Sequence, residues 1–160
     1  MSIRKATLED MPQVLELIKE LAVFEKEPDA VRITSEILIA EGFGEQPLFT
    51  CFVAVLENDI VGMALCYFRF STWNGRTVHL EDLIVRETHR GLGIGMKLYT
   101  QVMEFAASHK VKRVEWVVLD WNTPAIHFYE KTGAKMLKDW YLVQLDEEGL
   151  SHFLTQHSNN

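Results

Sequence analysis

Arg90-Gly91-Leu92-Gly93-Ile94-Gly95 joins two segments of different hydrophobic pattern. Before it, Arg76 to Val85 is a strand-like run, followed by a polar link from Arg86 to Arg90. After it, Leu98, Val102 and Phe105 recur at helical spacing until His109-Lys110. Glycines let successive backbone N–H groups approach an anion closely. The helix behind them adds unpaired N–H groups and the positive end of its dipole. Such a turn suits a pyrophosphate. A Walker loop needs Gly-Lys-Ser/Thr at its end, whereas Gly95 is followed by Met96-Lys97-Leu98. A dinucleotide fingerprint needs G-x-G-x-x-G after the first strand of a βαβ unit, whereas G-x-G-x-G lies here in mid-chain. A plain flexible glycine turn remains the alternative, because an isolated glycine motif carries little information.

Working outward, Ser2 to Ala6 reads as a first strand. Thr7 with Asp10 gives a helix start of capping-box type, ahead of Val14, Leu17, Ile18 and Leu21 at helical spacing. Glu25 to Asp29 is an acidic loop, and Thr34 caps a second helix predicted to stop before Gly42. Strands are predicted at Leu48–Leu56, Ile60–Phe70, Arg76–Val85 and Arg113–Leu119, with tight turns at Glu57-Asn58-Asp59 and Ser71–Gly75. Thr123 is read as the cap and Pro124 as the first turn of a helix that Gly133 ends, and Trp140–Leu145 is read as a last strand. The order β-α-α-β-β-β-α-β-α-β predicts an α/β (α+β) fold, a mixed and mostly antiparallel sheet flanked by helices.

The chain has 160 residues, 48% hydrophobic and 24% charged, which suits one domain over residues 1–155 with a polar tail at 156–160. No apolar run is long enough to cross a bilayer, and Met1 to Ala6 lacks a signal-type apolar stretch. Two cysteines, Cys51 and Cys66, lie in apolar runs, so the expectation is a cytoplasmic protein without a disulfide framework. Sixteen basic residues stand against 23 acidic, a net charge of −7. That charge repels phosphate backbones and favours a cationic substrate over nucleic acid. The six histidines show no metal-ligand spacing, so no metal is expected.

Arg90, Gly93 and Gly95 resemble the coenzyme-A signature of the GNAT acetyltransferases, Arg/Gln-x-x-Gly-x-Gly/Ala, and the order of elements resembles that superfamily. Further blocks resemble the diamine (spermidine/spermine) N-acetyltransferases: Ile18 to Ala22, Gly42 to Glu45, Leu80-Glu81-Asp82, and Trp121-Asn122 with Phe128-Tyr129. Ser71 to Thr77 resembles the thialysine branch. The resemblance implies an N-acetyltransferase fold, acetyl-CoA as co-substrate, a small cationic amine as acceptor and a homodimer. It implies that Leu83-Ile84-Val85 pair with the pantetheine arm, and that Gly91-Leu92-Gly93-Ile94-Gly95-Met96 cradle the pyrophosphate. Arg90 would pair with a phosphate or brace the loop. Asn122, Thr123, Pro124 and Ala125 would line the cofactor channel, with Tyr129 beside it.

Acetyl transfer to an amine first needs a proton removed. For a lysine-like ammonium near pH 7 this costs about 4–5 kcal/mol. Glu81 is the candidate base, against the alternative of a structural ion pair. Strand alternation puts His79, Glu81, Leu83 and Val85 on one face, and Leu80, Asp82 and Ile84 on the other. Tyr129 is the candidate acid for the leaving thiolate, because a phenol stays protonated at neutral pH; the competing reading is a packed ring. Phe24-Glu25 resembles the family's aromatic-Glu substrate pair, and Ser71 stands where the polyamine enzymes carry Asp. Loss of that carboxylate favours a lysine-like or short diamine substrate over spermine. Trp73 is a candidate pocket wall. Other readings left open are a protein lysine or antibiotic amine as acceptor, and a non-catalytic acyl-CoA-binding module.

Overall fold

The structure, a computed structural model, describes residues 1–157. It forms two compact units, Met1–Val117 and Val118–Asn160. In the first unit, strands β1 (Ser2–Lys5), β2 (Thr50–Leu56), β3 (Asp59–Ser71), β4 (Gly75–Val85) and β5 (Val114–Glu115) form one sheet in that order. The first four are antiparallel neighbours, and β5 runs parallel to β4. Helices α1 (Met11–Phe24), α2 (Ser35–Phe43) and α3 (Ile94–Ser108) complete the unit. The expected mixed, mostly antiparallel sheet with flanking helices is what forms.

Alternation sorts the sheet's side chains to two faces. Cys51, Val53, Met63, Leu65 and Ile84 form the main core with Val14 and Leu17 of α1 and Leu38 of α2. The other face meets α3, where the Phe105 ring lies 5.7 Å from Phe52 and 5.5 Å from Phe68. A Cβ at Gly62 would sit 2.9 Å from the Ile84 carbonyl oxygen and 3.1 Å from Leu98 of α3. Only glycine lets the helix lie this close. The β2–β3 hairpin turns on Glu57 (φ 52°) and Asn58 (φ 80°), the paired positive φ values that match strand twist in a two-residue loop.

Thr7 and Asp10 cap a short 3₁₀ turn, Leu8–Asp10, that leads into α1. Asp10 Oδ2 accepts the Thr7 N–H at 2.7 Å, and Arg4 holds the same carboxylate at 2.6 and 2.9 Å. Arg4 keeps this carboxyl below its ordinary range, against the opposing effect of burial. A depressed carboxyl stabilises the fold above its unfolded pKa, and the gain is lost as pH falls through the folded value. Asp10→Ala is therefore expected to cost about 1–2 kcal/mol at pH 7 and less at pH 3. Urea unfolding at both pH values measures it.

Several expected boundaries move. Helix α2 runs through Gly42 to Phe43, because Phe49 packs its ring directly against the bare Gly42 Cα. The strand expected over Arg113–Leu119 pairs only at Val114 and Glu115. In the second unit, helix α4 spans Thr123–Lys131; Asn122, not Thr123, is its cap, since Asn122 Oδ1 accepts the Ala125 N–H at 3.3 Å. Gly133 has φ 89°, as a left-handed helix stop requires. The expected strand at Trp140–Leu145 does not form, and a helix that the sequence reading missed, α5, spans Glu147–His157. Gln156 and His157 of the expected tail are thus helical, while Ser158 to Asn160 lie outside the described residues. No helix among the described residues is long and apolar enough to cross a membrane.

Candidate active site

Strand β4 positions the first candidate. Its register against β3 pairs Leu65 with Asp82 but Cys66 with Leu80, so Glu81 is an extra residue, a β-bulge. A bulge bends the strand and re-aims its side chains. The alternation that set Glu81 and Asp82 on opposite faces therefore fails: both line one cavity of ≈ 300 Å³ on the α1–α2 side. Its remaining walls are Ile18 of α1, Ile33, the α2 residues Ile37, Leu38 and Glu41, and the sheet-side residues Phe49 and Leu65. Three carboxylates and no basic side chain line it.

Asp82 is pushed up to about 7, first by burial and then by the charges of Glu81 and Glu25. Burial also raises Glu25, which caps the C-terminal end of α1. Tyr67 on β3 donates its hydroxyl to Glu81 Oε2 at 2.8 Å. Its phenol is pushed up to about 12, by burial and then by this bond. Glu81 itself stays half exposed. A carboxylate fixed by one donor, open to a cavity and beside a second carboxyl is equipped to hold an ammonium and take its proton.

The cofactor candidates lie next to it along the same strand. Leu83, Ile84 and Val85 pair with Ala64, Met63 and Gly62 of β3 on one side. On the other side β5 reaches only Val78 and His79, so among the described residues β4 has no strand neighbour on that side from Leu80 to Val85. That edge suits an extended amide-bearing chain. The glycine loop follows. Gly91 (φ 78°) and Gly93 (φ 75°) are left-handed, which favours glycine at both. Leu92 is exposed, Ile94 and Gly95 open α3, and among the described residues the N–H groups of Gly95 and Met96 have no backbone acceptor outside the helix. Open amides at a helix start suit a phosphate. Arg90 is spent on bracing: its Nε donates to the Val85 carbonyl oxygen at 3.0 Å, and its guanidinium lies 5.4 Å from the centre of the Phe24 ring.

Ser71 and Trp73 are not brought to this site within one copy. Ser71 pairs with Gly75 at the far end of the β3–β4 hairpin, six residues or roughly 20 Å along β4 from Glu81. The Ser71 hydroxyl accepts the N–H groups of Trp73 and Asn74, so it shapes the turn, and the Trp73 ring is 88% exposed. In the second unit, Asn122 uses its carbonyl to cap α4, and Thr123, Pro124 and Ala125 form the first turn. Tyr129 is buried on the same helix, its ring 5.2 Å from Phe128. Sequence reasoning missed Tyr67 and Glu41 and underweighted Asp82. A polar tip on an otherwise apolar strand was the available signal for Tyr67. Among the described residues no cluster of three His, Cys, Asp or Glu side chains is placed to hold a metal ion.

Comparison with known proteins matches residues 11–134 to the acetyltransferase (GNAT) family. The chain is 39% identical to the thialysine N-epsilon-acetyltransferase of Mus musculus and 38% identical to that of Bos taurus, in each case over 92% of this chain and 94% of the relative. An integron cassette protein of V. cholerae has the same fold, with TM-score 0.78 at 21% identity over 95% of this chain and 96% of that one. With its five-stranded mixed sheet, its left-handed glycine loop at a helix start and these matches, the chain belongs to the GNAT acetyltransferase family.

Proposed function

We propose that residues 1–155 act as one N-acetyltransferase domain in the cytoplasm, moving the acetyl group of acetyl-CoA to the primary amine of a small cation. The lysine-like amines, thialysine among them, and short diamines are the favoured acceptors. The observation that carries this reading is the bulge on β4, which turns Glu81 and Asp82 into one apolar-walled cavity lined by no basic side chain. Methylenes of the acceptor lie against Ile18, Ile33 and Ile37, and its ammonium ends meet carboxylates. The names of the 38–39% identical relatives support the substrate class.

In the proposed reaction, acetyl-CoA pairs along Leu83–Val85 and rests its pyrophosphate on Gly91–Met96. Glu81, directly or through water, takes the ammonium proton. The amine then attacks the thioester carbonyl, forming the C–N bond, and a backbone N–H of Leu83–Val85 receives the oxyanion. Collapse breaks the C–S bond, Tyr129 protonates the departing thiolate, and the surplus proton on the new amide nitrogen passes to the Tyr129 phenolate, restoring the phenol and leaving a neutral amide. Asn122 to Ala125 hold the pantetheine side, and Phe24 and Glu25 receive the far end of the substrate. Transfer is direct: Cys66 is buried and pushed up to about 12, and burial raises Cys51 further, so neither thiol is a ready nucleophile. The proposal includes a homodimer, supported by the exposed apolar run Trp140–Val143.

Release of CoA measured with thialysine, lysine, putrescine, spermidine and spermine tests the reading. Turnover is expected on the lysine-like amines and diamines, with spermine the poorest. Tyr129→Phe is expected to lower kcat by about 10²-fold. Tight acetyl-CoA binding with no turnover on any of the five would sink the small-amine reading.

A further inference from the structure

His79 is a titratable group that the proposed reaction leaves unused, and its surroundings are specific. It sits on β4 opposite Tyr67 of β3, with the rings 5.2 Å apart. Its side chain is 12% exposed, against 50% for Glu81. Nδ1 lies 3.4 Å from Arg69 Nη1. A guanidinium is a donor only, so Nδ1 is the acceptor, and the neutral ring carries its proton on Nε2. Nε2 in turn faces Glu81 Oε2 at 3.6 Å, too long for a hydrogen bond and close enough for a charge to be felt. Arg69 is itself anchored, its Nη1 2.6 Å from Glu115 Oε1 on β5, and Glu115 is held from its other oxygen by Arg113. Three strands therefore converge to aim one imidazole nitrogen at the candidate base. A lone surface histidine has no such alignment.

We infer that His79 is a positioning residue that gates Glu81 by acidity: as a neutral ring it leaves the carboxylate to the amine, and as an imidazolium it occupies that carboxylate in place of the substrate ammonium. This rests on the reading of Glu81 as the group that meets the amine. The charged and titratable groups facing His79 are Tyr67 and Arg69 on β3, Glu81 on its own strand and Glu115 on β5. Burial, first, and Arg69 hold the imidazole below its ordinary value of 6.5, while Glu81 and Glu115 oppose them. The ring therefore gains its charge at a lower pH than a free imidazole does. One cation then competes with another for a single carboxylate, so the loss falls on capture of the amine and spares that of acetyl-CoA.

The test is the pH dependence of kcat/KM for thialysine in wild type, His79→Gln and His79→Phe, beside Glu81→Gln. Below the imidazole's pKa the wild-type profile is expected to steepen by one further tenfold per pH unit. Both His79 variants should lack that extra slope, retaining more of their neutral-pH activity on the acid limb than wild type does. The KM for acetyl-CoA should not follow the same curve. Identical acid limbs in wild type and both variants would overturn the gate. Full activity of Glu81→Gln would instead overturn the reading of Glu81, a separate failure. If neither His79 variant folds, proton NMR titration of the His79 ring in wild type and Glu81→Gln decides the matter. Loss of the carboxylate charge must lower the imidazole pKa, and an unchanged titration sinks the coupling.

Discussion

Replacing Glu81 by Gln is expected to lower kcat for the amine by about 10²–10³-fold at pH 7, within the usual range for a lost general base. Gln is nearly isosteric and its carbonyl still accepts the Tyr67 hydroxyl, so the strand and its bulge should survive. What disappears is the ability to take a proton. The deficit should therefore shrink as pH rises toward the amine's own pKa of about 10.4, where the free base is already abundant. A loss of equal size at pH 7 and pH 9.5 would mean that Glu81 only binds the cation. Asp82 is the rival, since a carboxyl held near 7 is well matched to work at neutral pH. It is more deeply buried than Glu81, and among the described residues no hydroxyl aims it as Tyr67 aims Glu81. Asp82→Asn is accordingly expected to remove an inflection near pH 7 with a smaller loss of kcat. The reverse ranking of the two variants would hand the role of base to Asp82.

The rivalry between these neighbours also marks where the sequence stops being legible. The glycine turn, the helix behind it and the β2–β3 turn at Glu57-Asn58 were readable, because each is decided by local backbone preference: glycine at Gly91 and Gly93, and Asn58 in a two-residue hairpin loop. Strand β4 was readable too, but which way its charges point was not. The bulge at Glu81 arises from register against β3, and no residue within β4 announces it. Arg90 reads in the sequence as a phosphate partner or a loop brace, and its Nε bond to the Val85 carbonyl oxygen supplies a bracing contact that local pattern does not reveal. Ser71 looked like a specificity residue, whereas its hydroxyl is committed to the hairpin turn. Thr123 and Asn122 exchanged places as cap because both have a suitable side chain and only the φ/ψ of each residue selects one.

Removing the apolar run at Trp140–Leu145 as a contact surface is expected to convert the protein from dimer to monomer. A strand exists only where a neighbouring strand completes its ladder, and this segment has strand composition without a ladder. Among the described residues, no backbone hydrogen bond outside the helices and strands involves residues 135–145. Trp140 is 74% exposed, Tyr141 92% and Val143 86%, and Leu150, Phe153 and Leu154 of α5 are each about half exposed. With aromatic side chains covering about 150–250 Å² each, this surface is on the order of 1,000 Å² per copy, above the roughly 800 Å² per partner of a stable interface. In the proposed homodimer its occupant is a second copy of the chain. Lys138 and Asp139 cancel within residues 136–145, so two chains of net charge −7 meet there without local repulsion. The sheet offers a matching edge. At β1 the edge carries Arg4 and Lys5, charges that deter pairing, whereas among the described residues no strand pairs with β5 on the side away from β4, and β5 is followed by Trp116 and exposed Val117. A two-fold exchange in which each copy lays Trp140–Leu145 along the other's β5 edge satisfies both at once. Tyr141→Asp with Val143→Asp puts two charges into that strand, at a cost of about 4 kcal/mol or more, so dissociation should strengthen by ~10³-fold or more. Size-exclusion chromatography with light scattering should show twice the chain mass for wild type and the single mass for the double variant at micromolar concentration. A monomeric wild type, or a variant that stays dimeric, would move the interface elsewhere on the molecule.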